Sequence, residues 1–177
     1  MDYFIRKATI ADRDEIQRLI SISARQLSRA EYSDAQIEAA LQAIFGVDTS
    51  LIKDGTYFVA ENKGQIVGAG GWSHRRTLFG GDQFSDRDAA ELDPKVDAAK
   101  IRAFFVHPQF ARQGIARKIL VRCEQEAQSQ GFRVLELMST LPGIKLYEAC
   151  GYERIQPAQE TVNGVVIDFV VMRKTLE

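Results

Sequence analysis

What this chain is short of narrows its class before any motif is read. Cysteine occurs twice in 177 residues, as Cys123 and Cys150, without the paired spacing of a zinc site or a redox motif. Both are expected to be reduced packing residues of a cytoplasmic protein, and no metal site is expected. Excess charge is missing too: 23 Lys and Arg stand against 24 Asp and Glu, a net charge of −1. That balance gives no basis for a nucleic-acid partner or a membrane surface. No apolar run approaches the length of a membrane span. The opening stretch from Met1 to Lys7 lacks the apolar core of a signal peptide. Internal repeats and low-complexity segments are absent.

The length of 177 residues fits one domain, spanning 1–177, and the 45% apolar content is enough for a core without staples. Tyr3 to Ala8 suits a first strand. Ile16, Leu19, Ile20, Ser23 and Leu27 recur at helical spacing within Ala11 to Arg29. Ser33 and Gln36 form a capping box for a second helix that lines up Ile37, Leu41, Ile44 and Phe45, with Gly46 as its stop. Tyr57 to Glu61 and Gln65 to Trp72 form a hairpin across Asn62-Lys63-Gly64. Residues His74 to Ala99 are polar, and a loop of that length is functional or partly helical.

Strand Ile101–Val106, helix Gly114–Gly131 and strand Arg133–Ser139 make a βαβ unit, which demands a parallel pair. A short helix after Pro142 ends at Gly151. Tyr152–Gln156 and Val162–Lys174 close the chain as a hairpin with Asn163-Gly164 near its turn. The order βααβββαβαββ therefore predicts an α/β (α+β) fold: a mixed, mostly antiparallel sheet of about seven strands flanked by helices.

The segment Phe104-Phe105-Val106-His107-Pro108-Gln109-Phe110-Ala111-Arg112-Gln113-Gly114-Ile115-Ala116-Arg117 runs from a buried strand through a loop into a long helix. A helix start offers unpaired N–H groups and the positive end of the macrodipole, which together seat a phosphate or pyrophosphate. Gly114 and Ala116 keep side chains out of that seat, and Arg112 and Arg117 add charge at its rim. Packing alone also accounts for a small residue there.

The order V-H-P then R-x-G-x-A-R resembles the acyl-CoA pyrophosphate loop of the GNAT superfamily of N-acyltransferases. Leu141 to Tyr152 (LPGIKLYEACGY) is similar to that family's tyrosine-bearing helix followed by Gly-Tyr. The resemblance implies a sheet whose two parallel strands splay apart to admit acetyl-CoA, the acyl donor. It implies transfer of an acetyl group to a primary amine, most simply on a small molecule, by direct attack in a ternary complex. On matching positions, the backbone of Phe104, Phe105 and Val106 would hold the pantetheine arm and donate to the thioester oxygen. Arg112, Gln113, Gly114, Ile115, Ala116 and Arg117 match the pyrophosphate loop. Tyr147 matches the tyrosine that protonates the departing thiolate. Thr140 takes the place of a common asparagine on the CoA arm, Gly143 that of a common alanine, and Ala111 that of a common Gln or Arg.

A general base is not evident. Lys100 and Arg102 flank Ile101 where relatives carry a glutamate, which leaves Glu61, Asp82, Glu91 and His74 as candidates. The acidic loop from Asp82 to Asp97 favours a cationic amine if it borders the cleft, whereas Arg75 and Arg76 favour a carboxylate. A non-catalytic acyl-CoA sensor on the same fold is the competing class. The apolar stretch Val165 to Met172 needs covering if it lies near the sheet edge. A partner subunit, making a homodimer, or the chain's own helices would supply that cover.

Overall fold

The computed structural model describes residues 2–177. Strand β1 (Phe4–Lys7) leads through a single 3-10 turn into helix α1 (Arg13–Leu27). Its residues Ile16, Leu19, Ile20, Ser23 and Ala24 form the buried stripe that the spacing predicts. Helix α2 (Asp34–Ala43) starts at the expected capping box. Gln36 N–H donates to Ser33 Oγ at 3.1 Å, and Ser33 N–H donates to Gln36 Oε1 at 2.9 Å.

The helix stops earlier than Gly46. The N–H groups of Ile44 and Phe45 both bond to Ala40 O, and the chain leaves helical geometry at Ile44. Ile44 and Phe45 are buried all the same, as part of the loop that follows. A third helix, α3 (Thr49–Asp54), was not anticipated. Asp48 caps it, accepting from Leu51 N–H at 3.3 Å, and Gly55 ends it at φ 72°.

Strands β2 (Tyr57–Asn62), β3 (Gln65–Ser73) and β4 (Ala99–Val106) come next, then helix α4 (Ile115–Ser129), strand β5 (Val134–Thr140) and helix α5 (Ile144–Ala149). Strands β6 (Glu153–Val162) and β7 (Val165–Thr175) close the chain. Their hairpin turns at Asn163-Gly164, at φ 48° and 81°, so β6 runs on through Pro157 well beyond the expected Gln156. The stretch between β3 and β4 holds no α-helix and is an extended loop.

Among the described residues one seven-stranded sheet forms, in the order β1-β2-β3-β4-β5-β7-β6. Every pairing is antiparallel except β4 with β5. That parallel pair meets only at Ala99 with Leu135 and Lys100 with Glu136, and then parts. One core lies between the sheet and α1, α2 and α3; the other lies between the sheet and α4 and α5.

Strand β7 is not an edge strand. It is paired on both sides, by β5 and β6, and α2 packs over it. The apolar stretch from Val165 to Met172 is thus covered by the chain itself. The edge on that side of the sheet is β6, whose Pro157 has no N–H to donate.

Candidate active site

The parting of β4 and β5 opens a cavity of about 680 Å3 that passes through the sheet. A bulge in β4 sets what lines it. Ala103 has φ 61°, and the pairing with β3 slips between Ala69 and Gly71. Beyond the bulge, neighbouring side chains go to opposite faces. Phe104 packs on the α4–α5 side and Phe105 on the α1–α2 side.

On the α4–α5 side the wall is Phe104, Val106, Thr140, Gly143, Leu146 and Tyr147. Tyr147 is 8% exposed, and its hydroxyl has no hydrogen-bond partner among the described residues. Burial holds its phenol well above the usual tyrosine range, so it stays protonated at neutral pH. Arg112 and Ala116 reach the same wall from the loop before α4. Gly114 stands at the start of α4 with φ 83°, and a Cβ there would meet nothing within 4 Å. No side chain caps α4, so its first N–H groups face open space.

The structure therefore brings Phe104, Phe105, Val106, Arg112, Ala116, Thr140 and Tyr147 to one cavity. Gln113, Gly114, Ile115 and Arg117 do not line it. The Ile115 side chain is buried under α4, and Gln113 bonds back to Gln109 O at 3.3 Å. At this helix start the backbone of Gly114 and Ile115 lies close to the exposed side chain of Arg117. His107 is a local cap: its Nδ1 accepts from Gln109 N–H at 3.2 Å.

None of the four base candidates lines the cavity. Glu61 is held by Arg6 Nε at 2.8 Å. Asp82 accepts from Thr49 N–H and Oγ1 at 2.9 and 3.0 Å. The Glu91 side chain is 70% exposed, and His74 stands edge-on to Trp72. Three carboxylates of the acidic loop close its own turns: Asp88 accepts from Ala90 N–H, Asp93 from Lys95 N–H and Asp97 from Asp93 N–H. None of the loop's carboxylates lines the cavity. Arg75 forks onto Asp54 at 2.8 and 3.0 Å, and Arg76 is exposed away from the cavity. Neither is a carboxylate seat.

On the α1–α2 side the wall is one that sequence spacing did not reveal. Phe45, Phe79, Phe105, Met138 and Phe169 line it, with Leu27 to Glu31 at the mouth. Behind it lies a buried charge cluster. Arg102 Nη2 is 2.8 Å from Asp48 Oδ2, each side chain 1% exposed, in ion-pair contact without hydrogen-bond alignment. Arg102 Nη1 donates to Thr77 O at 2.9 Å, and Arg87 reaches Asp48 Oδ1 at 3.1 Å. Tyr32 ties this side to the splay: its hydroxyl donates to Asp168 O and accepts from Leu141 N–H. Burial pushes the Tyr32 phenol up to about 12, so both bonds persist through neutral pH.

A mixed sheet with one splayed parallel pair, entered by a cavity at an uncapped helix start, defines the architecture of an acyl-CoA-dependent acyltransferase. The model of the acetyltransferase (GNAT) family matches residues 16–152, and the chain belongs to that family. It is an acetyltransferase. The uncharacterized N-acetyltransferase YjgM of Escherichia coli (strain K12) is 26% identical over 174 residues, covering 96% of this chain and 93% of the relative. The GCN5-related N-acetyltransferase structure from Rhodopseudomonas palustris superposes with a TM-score of 0.73 at 18% identity, covering 99% of this chain and 97% of the other. The PaiA N-acetyltransferase from Thermoplasma acidophilum, in complex with coenzyme A, gives 0.67 at 13% identity and 99% coverage of both chains.

Proposed function

We propose that this acetyltransferase, one domain over 1–177, moves the acetyl group of acetyl-CoA to the primary amine of a small molecule within a ternary complex. The observation that carries this reading is the cavity that crosses the sheet where β4 and β5 part. One side of it suits a donor and the other an acceptor, and the free Tyr147 hydroxyl stands on the donor side. The residues fit acetyl-CoA: the uncapped start of α4 and Arg112 for the pyrophosphate, and β4 from Phe104 to Val106 for the pantetheine arm. Thr140 faces that arm across the gap. Past Lys100 the β5-facing backbone of β4 has no strand partner, so its groups are free to bond a ligand.

In this reading the amine nitrogen attacks the thioester carbonyl, whose developing oxyanion takes an N–H from β4. The carbon–sulfur bond breaks, and the thiolate takes the Tyr147 proton, which solvent then replaces. The proton of the attacking nitrogen leaves to water. The acceptor must arrive neutral, because no carboxylate base lines the interior of the cavity among the described residues. The two free cysteines suit a reducing, cytoplasmic setting.

The test is a panel of primary amines with acetyl-CoA, followed by free thiol release and mass spectrometry of the product. Acetylated amine at a rate set by the enzyme supports the reading. Tight acetyl-CoA binding with no amine acetylated overturns it.

A further inference from the structure

The acceptor side of the cavity is an aromatic chamber, and its composition selects a substrate class. The Phe45 ring stands edge-on to Phe105, with centroids 5.7 Å apart, and near-perpendicular to Phe169 at 6.5 Å. Phe79 lies 6.1 Å from Phe169 and is backed by Phe84 at 4.7 Å. These rings come from four separate parts of the fold, so the chamber is closed on several sides by apolar carbon.

No carboxylate lines the aromatic wall of the chamber itself. Arg102 and Arg87 together face a single buried carboxylate, Asp48. Asp54 and Asp82 also stand near Arg102, so the acidic side chains of this region are drawn to the guanidinium groups behind the wall, and Arg102 Nε lacks a hydrogen-bond partner among the described residues. Glu31 is the one carboxylate among the lining residues, and it is exposed at the mouth. A monoamine enters this chamber in its neutral form, its proton left to the water outside, because the ammonium would forfeit its hydration among the rings; that neutral form is the nucleophile the reaction needs. A second ammonium held within the chamber would be stranded among apolar rings, with no carboxylate on that wall to meet it. Aromatic faces attract cations, but that attraction is weak against the loss of hydration.

We infer that the acceptor is a primary monoamine on an aromatic or bulky apolar body, and that diamines and polyamines are excluded. This inference rests on the acetyl-transfer reading above.

The full chain is assayed with acetyl-CoA and either 2-phenylethylamine or 1,4-diaminobutane, with acetyl-CoA binding measured separately by calorimetry. Expected is a kcat/KM at least about 100-fold higher for 2-phenylethylamine, the upper range of discrimination by an apolar pocket. Phe79→Ala should raise the KM for 2-phenylethylamine about tenfold and leave acetyl-CoA affinity unchanged. Phe79→Leu, which keeps apolar bulk, should restore most of the loss. Equal or better use of the diamine overturns the chamber inference while acetyl transfer stands. So does acetyl-CoA binding with no turnover of 2-phenylethylamine, or a Phe79→Ala variant with unchanged KM. Absence of acetyl-CoA binding overturns the donor-site reading instead.

Discussion

The Tyr147 ring meets the Phe104 ring edge-on, with centroids 6.3 Å apart and 75° between the planes. It meets Tyr152 in the same manner at 5.7 Å. Its position is therefore fixed by packing of the ring, and the hydroxyl carries none of it. Tyr147→Phe should leave stability and acetyl-CoA affinity close to wild type. Turnover should fall by about 10²–10⁴, the usual worth of a general acid. Steady-state kinetics beside calorimetry separates the two effects. Unchanged turnover, with chemistry shown to limit the rate, would make Tyr147 a packing residue.

The anion seat at α4 is best tested at Ala116. Gly114 is a poor probe, because its φ of 83° penalises any side chain by about 1–2 kcal/mol. Ala116 is in the first turn of α4 and lines the cavity. A glutamate there is favoured by the macrodipole, by about 0.3–1 kcal/mol, so Ala116→Glu should fold as well as wild type. The same carboxylate would fill and repel the phosphate seat. Like charges about 4 Å apart near a surface cost several kcal/mol, so acetyl-CoA affinity should fall at least about 100-fold. A thermal melt and a binding isotherm on one preparation check both halves.

Local signals made much of this fold legible. The Ser33–Gln36 box, the Asn163-Gly164 turn and the small residue at Gly114 each act within a few positions, and each does what its spacing says. The wall that carries Phe104, Val106, Arg112 and Ala116 was legible for the same reason, since those residues fall in one continuous segment. The opposite wall was not. Phe45, Phe79, Phe105 and Phe169 meet only after the sheet has formed, and each alone reads as an ordinary core residue. Gly46 misled as a helix stop because Ile44 and Phe45 are buried without being helical. Composition left the acidic loop open between a charged cleft and a solvated loop; Asp88, Asp93 and Asp97 close local turns there, and none of its carboxylates lines the cavity. Val165 to Met172 suggested an edge because strand order was not fixed by pattern; pairing of β7 on both sides answers it.

Asp48 and Arg102 supply a stability test behind the cavity wall. Both are buried, and Asp48 also caps α3. Asp48→Asn keeps the cap and the shape but leaves Arg102 and Arg87 without their carboxylate. Removing one member of a buried ion pair costs about 3–5 kcal/mol. Urea unfolding should show a loss of that size, against a few tenths of a kcal/mol for an exposed substitution. A loss under about 1 kcal/mol would mean that water reaches the cluster and neutralises the argument.

The last prediction concerns acid. Asp12 accepts from Arg6 Nη1 at 2.8 Å and Nη2 at 2.9 Å, and from Thr9 N–H at 2.7 Å. It thereby ties edge strand β1 to the turn that starts α1. The hydrogen bonds from Arg6 hold its carboxyl below the usual aspartate range, with partial burial opposing and the Thr9 N–H reinforcing. A depressed carboxyl contributes stability that is fully present above its unfolded value near 3.8 and lost as pH falls through its lower folded value. Wild-type protein should therefore lose the contribution of this pair only below about pH 4. Asp12→Asn should lack that contribution at neutral pH, at a cost of about 1–2 kcal/mol, discounted because Arg6 is 31% exposed. The difference between the two proteins should then shrink steadily as pH drops from 4 toward 2. Denaturant midpoints measured across that range decide it. A difference that stays constant down to the lowest pH would show that Asp12 acts through shape and not through charge.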